Sequence, residues 1–243
     1  MTGQPKHIGI VACSAEGAAL CFREISSYSR QFLGEHMHPQ VTLSCIAMGE
    51  WMPAFNRGDY PRVADFMLRE TEIVATAGAE LAICPDNSAH LAFEYVAARS
   101  PIPWLHIAEE VAKAAVRAGH RHAALLGTRF TMTGPVYPKA FHRHGINIST
   151  PVAEDQKIVD DIIFQELVNG IFSEASRLRY NEVIERMRLT GCDSVILGCT
   201  EIPLLIREDD CPLPTLDSTR LLARAAVDAA LGYVTSEPDS QFR

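Results

Sequence analysis

Five short apolar runs of strand length are separated by longer stretches with helical periodicity, and this alternation leaves the chain few possible architectures. The runs are His7–Ala12, Val41–Ala47, Leu81–Cys84, His122–Leu126 and Ser194–Leu197. They carry apolar residues on both faces, as strands do when helices cover their sheet above and below. Between them lie the amphipathic stretches Arg62–Ala77, Ala108–Ala118, Asp160–Val168, Tyr180–Arg188 and Ser218–Leu231. Strand and helix in alternation predict an α/β fold with mainly parallel sheets.

A weak internal repeat refines this expectation. Ile8-Gly9-Ile10-Val11 is matched by Ala124-Leu125-Leu126-Gly127, 116 positions later. Leu81–Asn87 is matched by Ser194–Thr200, which sets Asp86 and Cys199 113 positions apart. Ile102–His106 is matched by Leu213–Asp217, with His106 and Asp217 separated by 111. Three landmarks in one order at nearly one offset predict two similar Rossmann-like lobes. The first is expected from 1–100 plus 214–243, the second from 101–213. Ligands of such sheets favour the crevice beyond the carboxyl ends of the strands, so Asp86 and Cys199 are expected to face each other across a central cleft. The polar end Ser236–Arg243 is expected to fray.

Composition narrows the class of partner. The chain has 243 residues with 22 Lys and Arg against 30 Asp and Glu, a net charge of −8. It shows no basic cluster, which argues against nucleic acid. No run approaches the 18–20 apolar residues of a membrane span, and the opening residues lack the apolar centre of a signal peptide. A cytoplasmic protein acting on a small molecule is the expectation. The seven cysteines are scattered without CxxC or zinc-ligand spacing, so most are expected as small buried hydrophobes and no metal site is expected. His36 with His38 and His142 with His144 are i, i+2 pairs outside any zinc-ligand spacing and read as surface residues. His90 and His106 are open between packing and cleft roles. Nothing resembles a Walker loop, a dinucleotide fingerprint or a Schiff-base lysine motif.

Cys199 follows an apolar strand and precedes Thr200-Glu201-Ile202-Pro203. A thiol between a strand end and a helix start is expected to gain thiolate character from backbone N–H groups. An isolated cysteine there is usually inert core, but its counterpart in the first half is the polar Asp86-Asn87-Ser88 with His90. Asn87, Ser88 and Thr200 offer donors suited to a carboxylate; plain helix capping is the alternative for Asn87 and Ser88. Cys84, two residues before Asp86, reads as core.

At these residues the chain resembles the cofactor-independent aspartate/glutamate racemase family. Val195-Ile196-Leu197-Gly198-Cys199-Thr200-Glu201-Ile202 is similar to that family's GCTE signature. Leu125–Met132, Asp161–Leu167 and Pro103–Ile107 also match, and the likeness spans nearly the whole chain. Ile8–Ile25 is a weaker counterpart of the family's glycine-rich first loop, with Ser14-Ala15-Glu16-Gly17 where glycines are usual. The family's CNTAH-like motif reads Asp86-Asn87-Ser88-Ala89-His90, with an aspartate in place of the first cysteine.

The resemblance implies an enzyme that inverts Cα of an amino acid without pyridoxal phosphate or any other cofactor. Racemisation needs a base on one face of Cα and an acid on the other, and two lobes each offering one group meet that need. Cys199 and Asp86 are the implied acid/base pair. Asn87, Ser88, Thr200, Glu201, Lys157, Ser14, Thr131 and Met132 are the implied substrate contacts, and a homodimer is the implied assembly. A thiol and a carboxylate differ by roughly 6 kcal/mol in reference proton affinity, so Asp86 is either a base strengthened by its surroundings or a binding group. A one-sided isomerase or decarboxylase using Cys199 alone and a catalytically silent binding protein remain as alternatives. The Pro-Asp-Arg segment that holds an acidic side chain in aspartate-specific members is replaced by Met48-Gly49-Glu50-Trp51-Met52-Pro53. Glu50 and Trp51 near the pocket are expected to suit a neutral or cationic side chain.

Overall fold

The computed structural model describes residues 4–233, so Ser236–Arg243 lies outside the described residues. The chain forms two parallel sheets. In the first, β1 (Ile8–Ala12), β2 (Val41–Cys45) and β3 (Leu81–Ile83) take the order β2-β1-β3. In the second, β4 (His122–Gly127), β5 (Asn147–Ser149), β6 (Ser194–Gly198) and β7 (Thr215–Asp217) take the order β5-β4-β6-β7. Strands β1, β3 and β6 are buried along their whole length, as their two-sided apolar sequences require, whereas β2 and β5 at sheet edges are partly exposed.

The two sheets have the same plan. Trp104 bridges to Ala82 beside β3 where the second sheet carries β7 beside β6. The Ala82 N–H donates to the Pro103 carbonyl at 2.8 Å, and the Val195 N–H donates to the Pro214 carbonyl at 2.9 Å. His106 Nδ1 accepts the Glu109 N–H at the start of the helix Ile107–Ala118. Asp217 Oδ1 accepts the Arg220 N–H at the start of the helix Ser218–Ala230. The repeat read from sequence is therefore a repeat of strand order, edge bridge and helix cap.

The helix Ser218–Ala230 returns to the first sheet, packing Leu222, Ala226 and Val227 with Ile8, Ile10 and Ile83. The strand before this helix, β7, pairs with β6 in the second sheet. Among the described residues, three helices of eight or more residues appear where no periodicity announced them: Ala15–Leu33, Met48–Asn56 and Val136–Arg143. Met48–Asn56 contains Pro53, whose missing N–H and ring weaken a helix interior, yet burial of Trp51, Ala54 and Phe55 holds it in place. Among the described residues, no helix is long and apolar enough to cross a membrane.

Candidate active site

Every strand is parallel to its neighbours, so all carboxyl ends within a sheet emerge on one side, and the cleft lies there. Its empty space, open mouth included, is about 530 Å³, and its floor is lined by residues that follow β1, β3, β4 and β6. Asp86, Asn87 and Ser88 come from the end of β3, and Gly198, Cys199, Thr200 and Glu201 from the end of β6. Ser14 and Thr128 follow β1 and β4. Both members of the expected pair therefore line one cavity.

The two half-sites are built differently. Asp86 Oδ1 accepts the Ala89 N–H at 2.9 Å. Enclosure in the cleft floor pushes its carboxyl up to about 6; the N–H groups of Ala89 and Ser88 oppose that rise, and the negative Glu201 adds to it. The Asp86 carbonyl is held by His90 Nδ1 at 2.8 Å, while His90 Nε2 accepts the Ile107 N–H at 3.2 Å. Burial pulls this imidazole down to about 4, so His90 is neutral and its hydrogen bonds assign the proton to Nδ1. His90 thus orders the Asp86 backbone and lies outside the cleft lining.

Across the cleft, the Cys199 thiol donates to Glu201 Oε2 at 2.9 Å, and the Thr200 hydroxyl donates to the same oxygen at 2.9 Å. Burial, the Glu201 charge and this hydrogen bond raise the thiol well above its ordinary pKa, and the negative Asp86 raises it further. The expected gain in thiolate character is corrected here. The helix after Cys199, Ile202–Leu205, is a single turn, and a carboxylate holding the thiol proton outweighs its N–H groups. At neutral pH the site rests with a carboxylate on one side and a thiol on the other.

Asn87 is committed in part to joining the lobes. Its Nδ2 donates to Ser218 Oγ at 3.0 Å, its Oδ1 accepts from Tyr137 OH at 2.5 Å, and Ser218 Oγ donates to the Leu197 carbonyl at 2.8 Å. One amide hydrogen of Asn87 is left without a partner among the described residues. Ser88 Oγ shares hydrogen bonds with the hydroxyls of Thr128 (2.9 Å) and Thr131 (3.3 Å), a second link between lobes. Thr131 therefore stands behind the lining. Ser14 Oγ is buried in the cleft wall and has no hydrogen-bond partner among the described residues.

Besides Thr131, two further expected contacts, Met132 and Lys157, are not brought to the cleft. Met132 is buried in the second lobe's core with Ile162 and Ile163. Lys157 is exposed and paired with Asp161 at 2.5 Å, as an i, i+4 partner on one helix face. Glu50 also turns away, half-exposed and paired with Arg69 at 3.6 Å. Trp51 does line the cleft, with its Nε1–H donating to the Cys13 carbonyl at 3.2 Å. Cys84 sits in the core with its sulfur 4.0 Å from that of Cys13.

The sequence reading missed the apolar wall formed by Met48, Met52, Phe55, Phe130, Ile163, Phe164 and Val168. It also missed Gly17. A Cβ there would lie 2.7 Å from Thr200 Cγ2 and 2.9 Å from the Pro85 carbonyl oxygen, so the first turn of the helix Ala15–Leu33 presses on both half-sites at once. Of the Ser14-Ala15-Glu16-Gly17 loop, Gly17 is the position where that close approach demands glycine. Among the described residues, no group of three or more His, Cys, Asp or Glu side chains is placed to hold a metal ion.

The chain matches the family Asp/Glu/Hydantoin racemase over residues 10–226. It belongs to that family. Among solved structures, a Yersinia pestis protein provisionally assigned as an Asp/Glu racemase superposes with a TM-score of 0.85 at 32% identity, covering 93% of this chain and 99% of that one. An aspartate racemase homologue from Pyrococcus horikoshii OT3 superposes with a TM-score of 0.80 at 27% identity, again covering 93% and 99%. The broad specificity amino-acid racemase RacX of Bacillus subtilis (strain 168) is 23% identical over 163 residues, 64% of this chain and 67% of its own length. The named relatives are racemases, which are isomerases, and family membership supports a racemase that works without a cofactor.

Proposed function

We propose that the chain is a cofactor-independent amino-acid racemase in which Asp86 and Cys199 exchange the Cα proton from opposite faces. The observation that carries this reading is their placement at corresponding strand ends of two like lobes, both lining one cleft. In the resting state Asp86 is the base and the Cys199 thiol the acid. Asp86 takes the Cα proton of one enantiomer, the electron pair is held by the substrate carboxylate as an enediolate, and Cys199 returns a proton to the other face. The opposite enantiomer requires the reverse assignment, with the shared proton moved to Asp86. A raised Asp86 and a thiol under a carboxylate are two groups whose surroundings separate their roles.

Ser14 Oγ and the spare Asn87 hydrogen are the polar contacts assigned to the substrate amino acid, with Ser88 and Thr200 beside them. Glu201 is assigned to the thiol rather than to the substrate. A homodimeric, cytoplasmic protein belongs to the same reading. Incubation with D- and L-amino acids in D2O tests it: inversion with deuterium at Cα is the expected result. Deuterium uptake without inversion indicates one-sided proton transfer, and binding without exchange indicates a silent site; either result rejects the racemase.

A further inference from the structure

The charges and surfaces of the cleft carry information about the substrate side chain. Among the described residues its only charged lining groups are Asp86 and Glu201, both acidic. No Lys or Arg among the described residues lines the cleft, although Arg57 and Arg129 lie on the segments beside its wall. The Arg129 guanidinium lies over the Phe130 ring at 4.7 Å, Arg69 pairs with Glu70 at 2.9 Å, and Lys157 pairs with Asp161. An acidic side chain would enter as a further anion beside two carboxylates with no counter-charge, and burying an uncompensated charge is costly.

The opposite wall is apolar and comes from three separate segments. Trp51, Met52 and Phe55 lie on the helix Met48–Asn56, Phe130 follows β4, and Phe164 and Val168 flank the end of the helix Ala153–Gln165. Phe55 and Phe130 meet edge to face with centroids 4.8 Å apart, so the first-lobe and second-lobe parts of the wall are packed against each other. Phe164 and Val168 remain partly exposed at 38% and 36% although they line the cleft. Apolar surface left open inside a cleft is surface that an apolar ligand group covers.

We propose that this wall is a side-chain subsite and that the substrate is a neutral α-amino acid with an apolar side chain, of the methionine, leucine or phenylalanine kind. The inference rests on the racemase reading for its chemistry, but its binding preference stands on the wall alone. Met52 is the half-buried member of the Met48–Asn56 segment, so a cation can be introduced there without replacing a fully buried core residue.

The test measures Cα deuterium exchange and thermal shift with methionine, leucine, phenylalanine, aspartate and glutamate of both hands. Apolar substrates are expected to exceed the acidic ones by roughly 100-fold or more in kcat/KM. Met52→Arg is expected to reverse the order, gaining aspartate or glutamate while losing the apolar substrates. Exchange that favours aspartate or glutamate in the unaltered protein overturns the inference. If no amino acid exchanges, the racemase reading fails and the thermal shifts decide the subsite alone. A shift with apolar amino acids but not acidic ones supports it; a shift with acidic ones, or with neither, overturns it.

Discussion

The end of β3 and the end of β6 are the same place in two copies of one topology, yet they hold opposite chemistry. At the end of β3 a carboxylate is steadied by the Ala89 N–H, and its own carbonyl is pinned by a neutral His90. At the end of β6 a thiol is steadied by a carboxylate, Glu201. Burial pushes both working groups toward the protonated form, Asp86 to about 6 against its Ala89 hydrogen bond and Cys199, with Glu201 adding to the rise, upward from an already higher start. The lobes thus share a backbone plan while their proton affinities differ in the sense required to leave one base and one acid at neutral pH. Equal chemistry on both sides is unnecessary for a racemase. Because the equilibrium constant of racemisation is one, kcat/KM must be equal for the two enantiomers, and asymmetry between the half-sites can appear only in kcat and KM separately.

The largest effect is expected at the thiol. Cys199→Ala should lower racemisation by about 10²–10⁴-fold, the usual contribution of a general acid or base, while circular dichroism and melting show the fold intact. Activity above a few per cent in this variant would place the chemistry elsewhere. Next comes the link between the lobes. Asn87→Ala leaves the buried Tyr137 hydroxyl and Ser218 without their amide partner and should cost about 1–3 kcal/mol of stability in denaturant titration. An unchanged midpoint would show that the lobes do not depend on this contact.

Removing the charge beside the thiol should shift a pH profile rather than abolish activity. Glu201 raises the Cys199 pKa both as a charge and as a hydrogen-bond acceptor. Glu201→Gln should therefore lower that pKa, and iodoacetamide alkylation of Cys199 should become fast at a lower pH than in the unaltered protein. A profile that stays in place would remove Glu201 from control of the thiol. The smallest effect is on stability. The folded-state pKa of Asp86 is raised, so its contribution favours folding most at low pH and is lost as pH rises through about 6. Asp86→Asn should then raise the melting temperature above pH 6 and change it little below pH 4, as measured by melting curves across that range.

Much of this contrast was legible in the sequence because strands buried on both faces must be apolar throughout, and their ends must then turn polar where the cleft begins. Asp86 and Cys199 stand at such transitions, so the repeat placed them together. β5 and β7 escaped notice because strands of three residues carry too little pattern to register. The wall from Met48 to Phe55 was hidden for another reason. Gly49 and Pro53 read locally as loop signals, and only the burial of Trp51 and Phe55 against the rest of the lobe makes the segment helical. Lys157 lies outside the cleft lining and pairs with Asp161; a lysine's reach gives no hint of direction, and the acidic residue four positions on was the available clue. The raised thiol was missed because Glu201 was read as a substrate contact, whereas a side chain two residues away can fold back onto its neighbour.

The most direct test of the two-sided account is Cα exchange in Asp86→Asn, followed by NMR in D2O with each enantiomer of a substrate separately. Asparagine keeps the shape and the contact to the Ala89 N–H while removing basicity. The account predicts loss of inversion, with deuterium entering only the enantiomer whose Cα proton faces Cys199. Exchange that stays equal for both enantiomers at saturation, accompanied by equally weakened binding, would contradict it and assign Asp86 to holding the substrate.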